Sequence, residues 1–438
     1  MNHETNSNKP LGIKRRLFLG HSAATVGAMA AAPLLARAQS GTAAKRLGVG
    51  FIGCGGRSAA HMQMVRQLRD EMGMPVELTA CCDAYRPRME HRKNQFGIKR
   101  AHPNHQVLLE DPEVDIVCVS TPDHQHATQA LAAVKAGKHV YCEKPITHWS
   151  QFAATRDLAD AVAASKVAFV CGTQAMSDPA WRKMKELVKA GVIGKPIQAE
   201  AGFFRVGDWG ERGMGVDDPN AVPGPDLDWD AFLAPDREKV EFSVDRYFRW
   251  RLFEEYAGGP VTDLYPHSLA PVVDILDLGF PTKVAGMGSI SRYPFELRSV
   301  PDTFHLLAEY PDGFTLSFIG TQGNDFQTTA KRGAVHRTPV IRGWDGTLYV
   351  DSDNRHIVCL ATGGSPRQPA IERFPIEGSE NNTMLWKNLV ECALEGRTDT
   401  WSDMDLAFRT QTVLQMAMQG HYSGKTIGFD ADGREMIV

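Results

Sequence analysis

From Leu47 to Thr173 short apolar runs alternate with segments of helical spacing. "RLGVGFIG", "PVELTACCD", "VDIVCVSTP", "KHVYCEKP" and "VAFVCGTQ" read as strands. Between them, "SAAHMQMVRQLRDEM", "YRPRMEHRKNQFG", "HATQALAAVKAG" and "FAATRDLADAVAASK" space their apolar residues as helices do. Strands interrupted by helices cannot pair as hairpins. They form right-handed βαβ crossovers and hence a parallel sheet with helices on both faces, a doubly wound α/β layer.

After Gln174 the texture changes. "DPAWRKMKELVKAGVIGK" predicts one amphipathic helix, and "PIQAEAGFF" begins as a strand. Residues 207–240 are rich in Gly, Pro and Asp and read as a long loop. "KVAGMGSI", "FHLLAEY" and "FTLSFIG" follow as strands without intervening helices, which predicts a mixed, largely antiparallel open sheet. "NNTMLWKNLVECALEG" and "LAFRTQTVLQMAMQG" are helical. The predicted class is therefore α/β, with an α+β second domain. The expected organisation is one domain over 45–173 and a second over 174–438.

Residues 1–38 stand apart. Arg15 and Arg16 precede "LFL", a small-residue apolar run follows, and Ala36-Arg37-Ala38 ends it. A basic region, an apolar region and an A-x-A site make an export signal, and the paired arginines resemble a bacterial twin-arginine signal. The run is short of the ~20 apolar residues of a membrane span, so no stable span is expected after cleavage. The expected location is the periplasm or another exported compartment, reached through the twin-arginine machinery. Cys54, Cys81, Cys82, Cys118, Cys142 and Cys171 mostly sit in apolar strand-like runs and form no disulfide framework. That pattern suits folding in a reducing compartment before export. The net charge of −4 and the lack of a dense basic patch argue against nucleic acid.

"GVGFIGCGGRSAAH" follows the first strand and opens the first helix. Gly53, Gly55 and Ser58 take the three positions of G-x-G-x-x-G, with Gly56 and Arg57 between them. The first glycine allows the tight turn, the second admits a pyrophosphate, and the third residue must be small for helix and strand to pack. Asp83 ends the second strand, placed to bond the adenine-ribose hydroxyls; this favours NAD, while Arg86 and Arg88 keep NADP open. "STPDHQHA" closes the next strand; Thr121, Pro122 and His126 belong to the cofactor side. His124 and His126 lack the spacing of a metal site, so no metal is expected.

"EKP" then ends an apolar strand at the carboxyl edge of the sheet, where cofactor crevices lie. Glu143 and Lys144 thus face the nicotinamide end, and Pro145 restrains the backbone, in a bond that can be cis. A lysine there can hold a substrate oxygen and favour negative charge developing on it. Gln174, just after "GT", joins the cofactor side.

Together "GFIGCGGR", "CCD", "DIVCVSTPDHQHA" and "GKHVYCEKP" resemble the Gfo/Idh/MocA oxidoreductases, named for glucose–fructose oxidoreductase and inositol dehydrogenase. "LDWDAFLAP" and "YFRWRLFEEYAGGPVTDLYPHSLAPVVDIL" are similar to that family's second-domain segments, so the likeness covers essentially the whole mature chain. It implies an NAD(P)-binding Rossmann domain over 45–173, a substrate and oligomerisation domain over 174–438, a tightly held NAD(P) and a homodimer or homotetramer. It also implies a sugar or polyol substrate oxidised at a secondary hydroxyl. Lys144 matches the family's EKP lysine, and Asp263 and His267 match its acid and histidine. Four-residue spacing puts the last two on one face of a helix, and a neutral histidine suits proton abstraction from a carbinol. Arg249, Trp250 and Tyr265 stand as substrate contacts, with Tyr256 and Arg251 nearby.

Two departures concern the substrate side. The family's aspartate just after the histidine is replaced by Ala270 and Pro271, with Asp274 a turn further, and the basic residue after "GTQ" by Ala175-Met176. "DLYPHSLAPV" is also faintly similar to NAD-dependent glycosidases. These oxidise a sugar transiently, eliminate the aglycone, add water and reduce again. A non-catalytic sugar- or nucleotide-binding protein is the third possibility, opposed by intact Lys144, Asp263 and His267.

Overall fold

The computed structural model describes residues 46–207, 214–233, 239–327, 336–365 and 369–438. The signal-like segment lies outside them.

The first sheet contains six parallel strands: β1 (Leu47–Ile52), β2 (Val76–Cys82), β3 (Arg100–Ala101), β4 (Ile116–Val119), β5 (His139–Cys142) and β6 (Phe169–Cys171). Their order is β3-β2-β1-β4-β5-β6, the doubly wound arrangement with its reversal between β1 and β4. Every residue of β1 is buried, as a central strand covered on both faces requires. The crossovers are α1 (Gly56–Asp70), α2 (Arg86–Phe96), α3 (His105–Glu110), α4 (Asp123–Lys135) and α5 (Phe152–Ala163). The short edge strand β3 and helix α3 had no clear signal in the sequence pattern.

One face of this sheet is sealed from far along the chain. Helix Asn382–Glu395 lays Leu385, Trp386, Leu389 and Val390 against α1 and the buried strand residues. Trp386 is fully buried, stacks on Tyr141 with ring centroids 4.6 Å apart, and donates Nε1–H to His61 at 2.9 Å. On the other face Met404 and Phe408, from helix Met404–Ser423, join the cluster formed with α4 and α5.

The second sheet holds eleven strands among the described residues. Strand Pro196–Val206 lies in its middle, parallel to Thr315–Thr321; the other pairings are antiparallel. Strands Lys283–Ser289, Thr303–Glu309 and Thr315–Thr321 fall where the pattern predicted them. Helices Pro179–Lys189, Tyr265–Ile275 and Met404–Ser423 cover one face. On the opposite face Met287, Leu307 and Ile319 are exposed, with Ile319 and Met287 flanking His305 in register. No helix among the described residues is long and apolar enough to cross a membrane.

Candidate active site

A cavity of about 890 Å³ runs along the carboxyl edge of the first sheet and is roofed by the second domain. Gly53, Gly55, Gly56, Arg57, Asp83, Thr121, Pro122, His126, Glu143, Lys144 and Gln174 line it, and so do Asp263, His267 and Trp250. The sequence thus brought most of its candidate residues to one place.

At one end lies the glycine loop. Gly53 has φ +85°, and a Cβ there would sit 2.9 Å from the Ser120 carbonyl oxygen. Only glycine meets both conditions without displacing the neighbouring strand end. A Cβ at Gly55 or Gly56 would meet nothing within 4 Å, and the N-cap of α1 has no side-chain partner. Helix N-termini in that state present unsatisfied N–H groups to an anion. Ser58 is fully buried in α1 and does not line the cavity, so its role is the small-residue packing of helix on strand. Asp83 accepts N–H groups from Cys54 at 2.6 Å and Tyr85 at 2.8 Å, which fixes its carboxylate at the cavity edge. The donors, the open loop and the acid fit a dinucleotide.

Arg88 also lines this end; its Nε donates to Asp217 at 2.8 Å. Arg86 instead pairs with Asp226 at the surface. Tyr247 packs edge-on against Tyr85 and lies 3.4 Å from Asp83 through its hydroxyl, so the second domain reaches over the adenosine end.

The "EKP" question resolves into two roles. Glu143 is nearly buried and accepts from Arg57 at 2.7 Å and Gln174 at 3.1 Å, with the His61 ring 2.9 Å away. Burial pushes its carboxyl up, but Arg57 and His61 outweigh that and hold it well below the usual carboxylate range. Glu143 is therefore a fixed anion that ties the glycine loop to β5. His126 bridges the two neighbouring loops, its ring nitrogens 2.6 Å from the Pro145 carbonyl and 2.9 Å from the Thr121 carbonyl. The Lys144–Pro145 peptide is cis.

Lys144 turns the other way. Its Nζ donates to the Asp263 carboxylate at 3.0 Å and to the backbone carbonyl of Asp263. Arg251 Nε donates to the same carboxylate oxygen at 3.2 Å, and Arg205 lies 3.9 Å from the other. Burial alone would raise the Asp263 carboxyl; Lys144, Arg251 and Arg205 hold it well below the usual range. His267 lines the same wall, its ring beside Phe203. The segment is helical but broken: Pro260–Asp263 and Tyr265–Ile275 are separate helices, with Leu264 between them at φ −121°. Asp263 and His267 still reach one cavity.

Some expectations need correction. Tyr265 is fully buried, donates its hydroxyl to the Phe304 carbonyl at 2.5 Å and does not line the cavity, so it is a core residue. Arg249 pairs with Asp245 at 3.0 Å on its own helix turn and is likewise off the cavity wall. Asp274 does not replace the missing aspartate, because Lys185 holds it at 2.6 Å. His124 is buried, bonded to the Phe232 carbonyl at 2.7 Å.

Sequence reasoning missed two residues. Arg205 arrives at the end of the long strand Pro196–Val206, which the pattern only began to show. Asp123 opens α4, is 4% exposed, and accepts from Thr262 at 2.9 Å. Its burial, with Asp263 adding to it against Arg251 and Lys144, pushes its carboxyl up to about 7. An acid directly after Thr121-Pro122 was the available signal.

A doubly wound domain with an open glycine loop is thus joined to a sheet domain that carries a lysine-facing acid and a histidine, a two-domain α/β architecture. Residues 47–173 match the Gfo/Idh/MocA model, described as an oxidoreductase family with an NAD-binding Rossmann fold. This segment is thus similar to the NAD-binding Rossmann domain of that family. The chain is 30% identical over 148 residues to myo-inositol 2-dehydrogenase of Thermotoga maritima, covering 34% of this chain and 42% of that protein. It is 23% identical over 368 residues to scyllo-inositol 2-dehydrogenase (NAD(+)) of Bacillus subtilis, covering 80% and 91%. The match to the first of these thus spans less than half of that relative's length. Among solved structures, levoglucosan dehydrogenase in complex with NADH superposes with a TM-score of 0.65 at 17% identity, covering 88% of this chain and 99% of that one.

Proposed function

We propose that the chain is an NAD-dependent dehydrogenase acting on a secondary hydroxyl of a sugar or polyol. The observation that carries this reading is the convergence of Lys144, Asp263 and His267 on the cavity that also contains the glycine loop. A nicotinamide dinucleotide held by Gly53, Gly55, Arg57 and Asp83 would supply the acceptor for the hydride lost from the carbinol carbon. The chain supplies the rest. Lys144 Nζ, held by the Asp263 carboxylate, donates to the carbinol oxygen and favours charge on it as the C–H bond weakens. His267 accepts the hydroxyl proton, and Asp263 positions the lysine.

The same reading includes export of the folded protein by the twin-arginine route with the nucleotide retained, and a periplasmic location. All eight cysteines are buried free thiols rather than disulfides, which supports folding in a reducing compartment. Pairing into a homodimer or homotetramer finds support in the exposed Met287, Leu307 and Ile319 on the uncovered sheet face. The redox-neutral glycosidase alternative gains nothing from Tyr265, whose hydroxyl points into the core.

The test begins with denaturing the purified protein and identifying released nucleotide by mass spectrometry. NAD(H) near one per chain is expected. Lys144→Ala and His267→Ala should each lower sugar oxidation at least about tenfold with nucleotide still bound. Unchanged turnover in both variants refutes the assignment, and hydrolysis of an aryl glycoside without any acceptor favours the glycosidase.

A further inference from the structure

Two arginines, Arg86 and Arg88, stand directly behind the acid that follows β2. An arginine in that place is the usual partner of the 2′-phosphate of NADP. In the folded chain each of them meets a carboxylate from the second domain. Arg86 Nε donates to Asp226 at 2.7 Å, in an exposed pair off the cavity wall. Arg88 lies on the wall, and its Nε and Nη2 are each 2.8 Å from one Asp217 oxygen.

The backbone brings these partners together. Arg86 N–H donates to the Asp226 carbonyl and Asp228 N–H to the Ala84 carbonyl, both at 2.9 Å. They form a short antiparallel bridge between Tyr85 and Leu227. Ala221 and Leu227 are buried with Tyr85 in one apolar cluster, which seats the segment on the loop after β2. Rings fix the Arg88 guanidinium as well. Its centre lies 5.4 Å from the Phe248 ring, 5.7 Å from Tyr85 and 5.9 Å from Tyr247. Burial alone would lower its proton affinity, but Asp83, Tyr247 and Asp217 outweigh that and keep it charged. Arg88 is thus a fixed cation whose charge is shared by Asp83 and Asp217, one acid from each domain. A 2′-phosphate would have to take Arg88 from Asp217 and then lie beside that carboxylate. The ribose hydroxyl of NAD requires neither.

We infer that Asp217 is a specificity-determining residue, which disfavours NADP by holding Arg88. The inference rests on the nucleotide-binding part of the reading above and not on the sugar chemistry. To test it, the full-length protein is equilibrated with equimolar NAD and NADP until the bound ratio is constant. Unbound nucleotide is then removed, the protein denatured, and both nucleotides counted by mass spectrometry. The wild type should retain NAD over NADP by about tenfold or more, and Asp217→Ala should cut that ratio about tenfold through a gain in NADP, because an arginine released to a phosphate adds a charge-assisted hydrogen bond. Asp217→Asn, which keeps the side-chain shape, should move the ratio the same way. Adding Arg88→Gln to Asp217→Ala should abolish the gain. Asp226→Asn breaks only an exposed pair and should leave the ratio within about twofold of the wild type. A wild type without preference, or a ratio that neither Asp217 variant moves, overturns the inference. So does a gain that survives Arg88→Gln, which would belong to another cation such as Arg92 on the same wall. Retention of neither nucleotide by the wild type sinks the nucleotide reading and this inference with it. Selective retention without oxidation of any sugar sinks the dehydrogenase step alone.

Discussion

Asp123 makes a measurable prediction about stability. Its carboxyl is displaced from 3.8 to about 7 in the folded protein, because burial disfavours the charged form. A raised folded value means that the native state binds a proton which the unfolded chain releases earlier. Stability from this residue is therefore whole below about pH 4 and is lost as pH climbs towards 7. At about 1.4 kcal/mol per pH unit, the full displacement comes to roughly 4 kcal/mol. Asp123→Asn removes the titration, and its side-chain oxygen can still accept from Thr262. Urea unfolding followed by tryptophan fluorescence gives the stability of both proteins near pH 5 and near pH 8. The advantage of the variant should grow by about 3 kcal/mol between those conditions. A difference that stays constant with pH, or that falls as pH rises, refutes the burial argument and returns Asp123 to an ordinary carboxylate.

Gly53→Ala must place a side chain at φ +85° with its Cβ 2.9 Å from the Ser120 carbonyl. The backbone alone costs about 1–2 kcal/mol, and NAD affinity measured by fluorescence titration should fall with it; unchanged affinity and melting temperature would count against the loop geometry. Trp386→Ala empties a fully buried site and frees His61. It should cost about 3–5 kcal/mol in chemical denaturation and speed hydrogen exchange in β5 as well as in its own helix. Loss confined to the helix would mean that the helix and the first sheet do not share a core.

The parallel layer was legible because its strands are buried on both faces and its helices repeat cleanly, so period and punctuation agree at β1, β2, β4, β5 and β6. Strand β3 was not, because two edge residues carry no periodicity. The second sheet was half legible. Strands such as Thr303–Glu309 alternate buried and exposed residues, whereas the edge strand Ile371–Pro375 buries no residue fully and carries Glu372 and Arg373. At the site, Lys144, Asp263 and His267 were found through resemblance and motif. Arg205 was hidden because its importance depends on where a long strand ends in space. Tyr265 misled because a tyrosine beside a proline and a histidine looks polar in sequence, while its hydroxyl needs only one buried carbonyl.

The helix Asn382–Glu395 has a consequence for how the chain is made. It seals the first sheet, yet about 210 residues separate it from the end of that layer at Cys171. At synthesis rates of roughly 5–20 residues per second, Leu47–Cys171 emerges some 10–40 s before its cover. During that interval the apolar surface that will receive Leu385, Trp386, Leu389 and Val390 faces water or a chaperone. The first sheet is therefore covered only near the end of synthesis although its strands come early in the chain, and truncation anywhere before residue 382 leaves it without that cover.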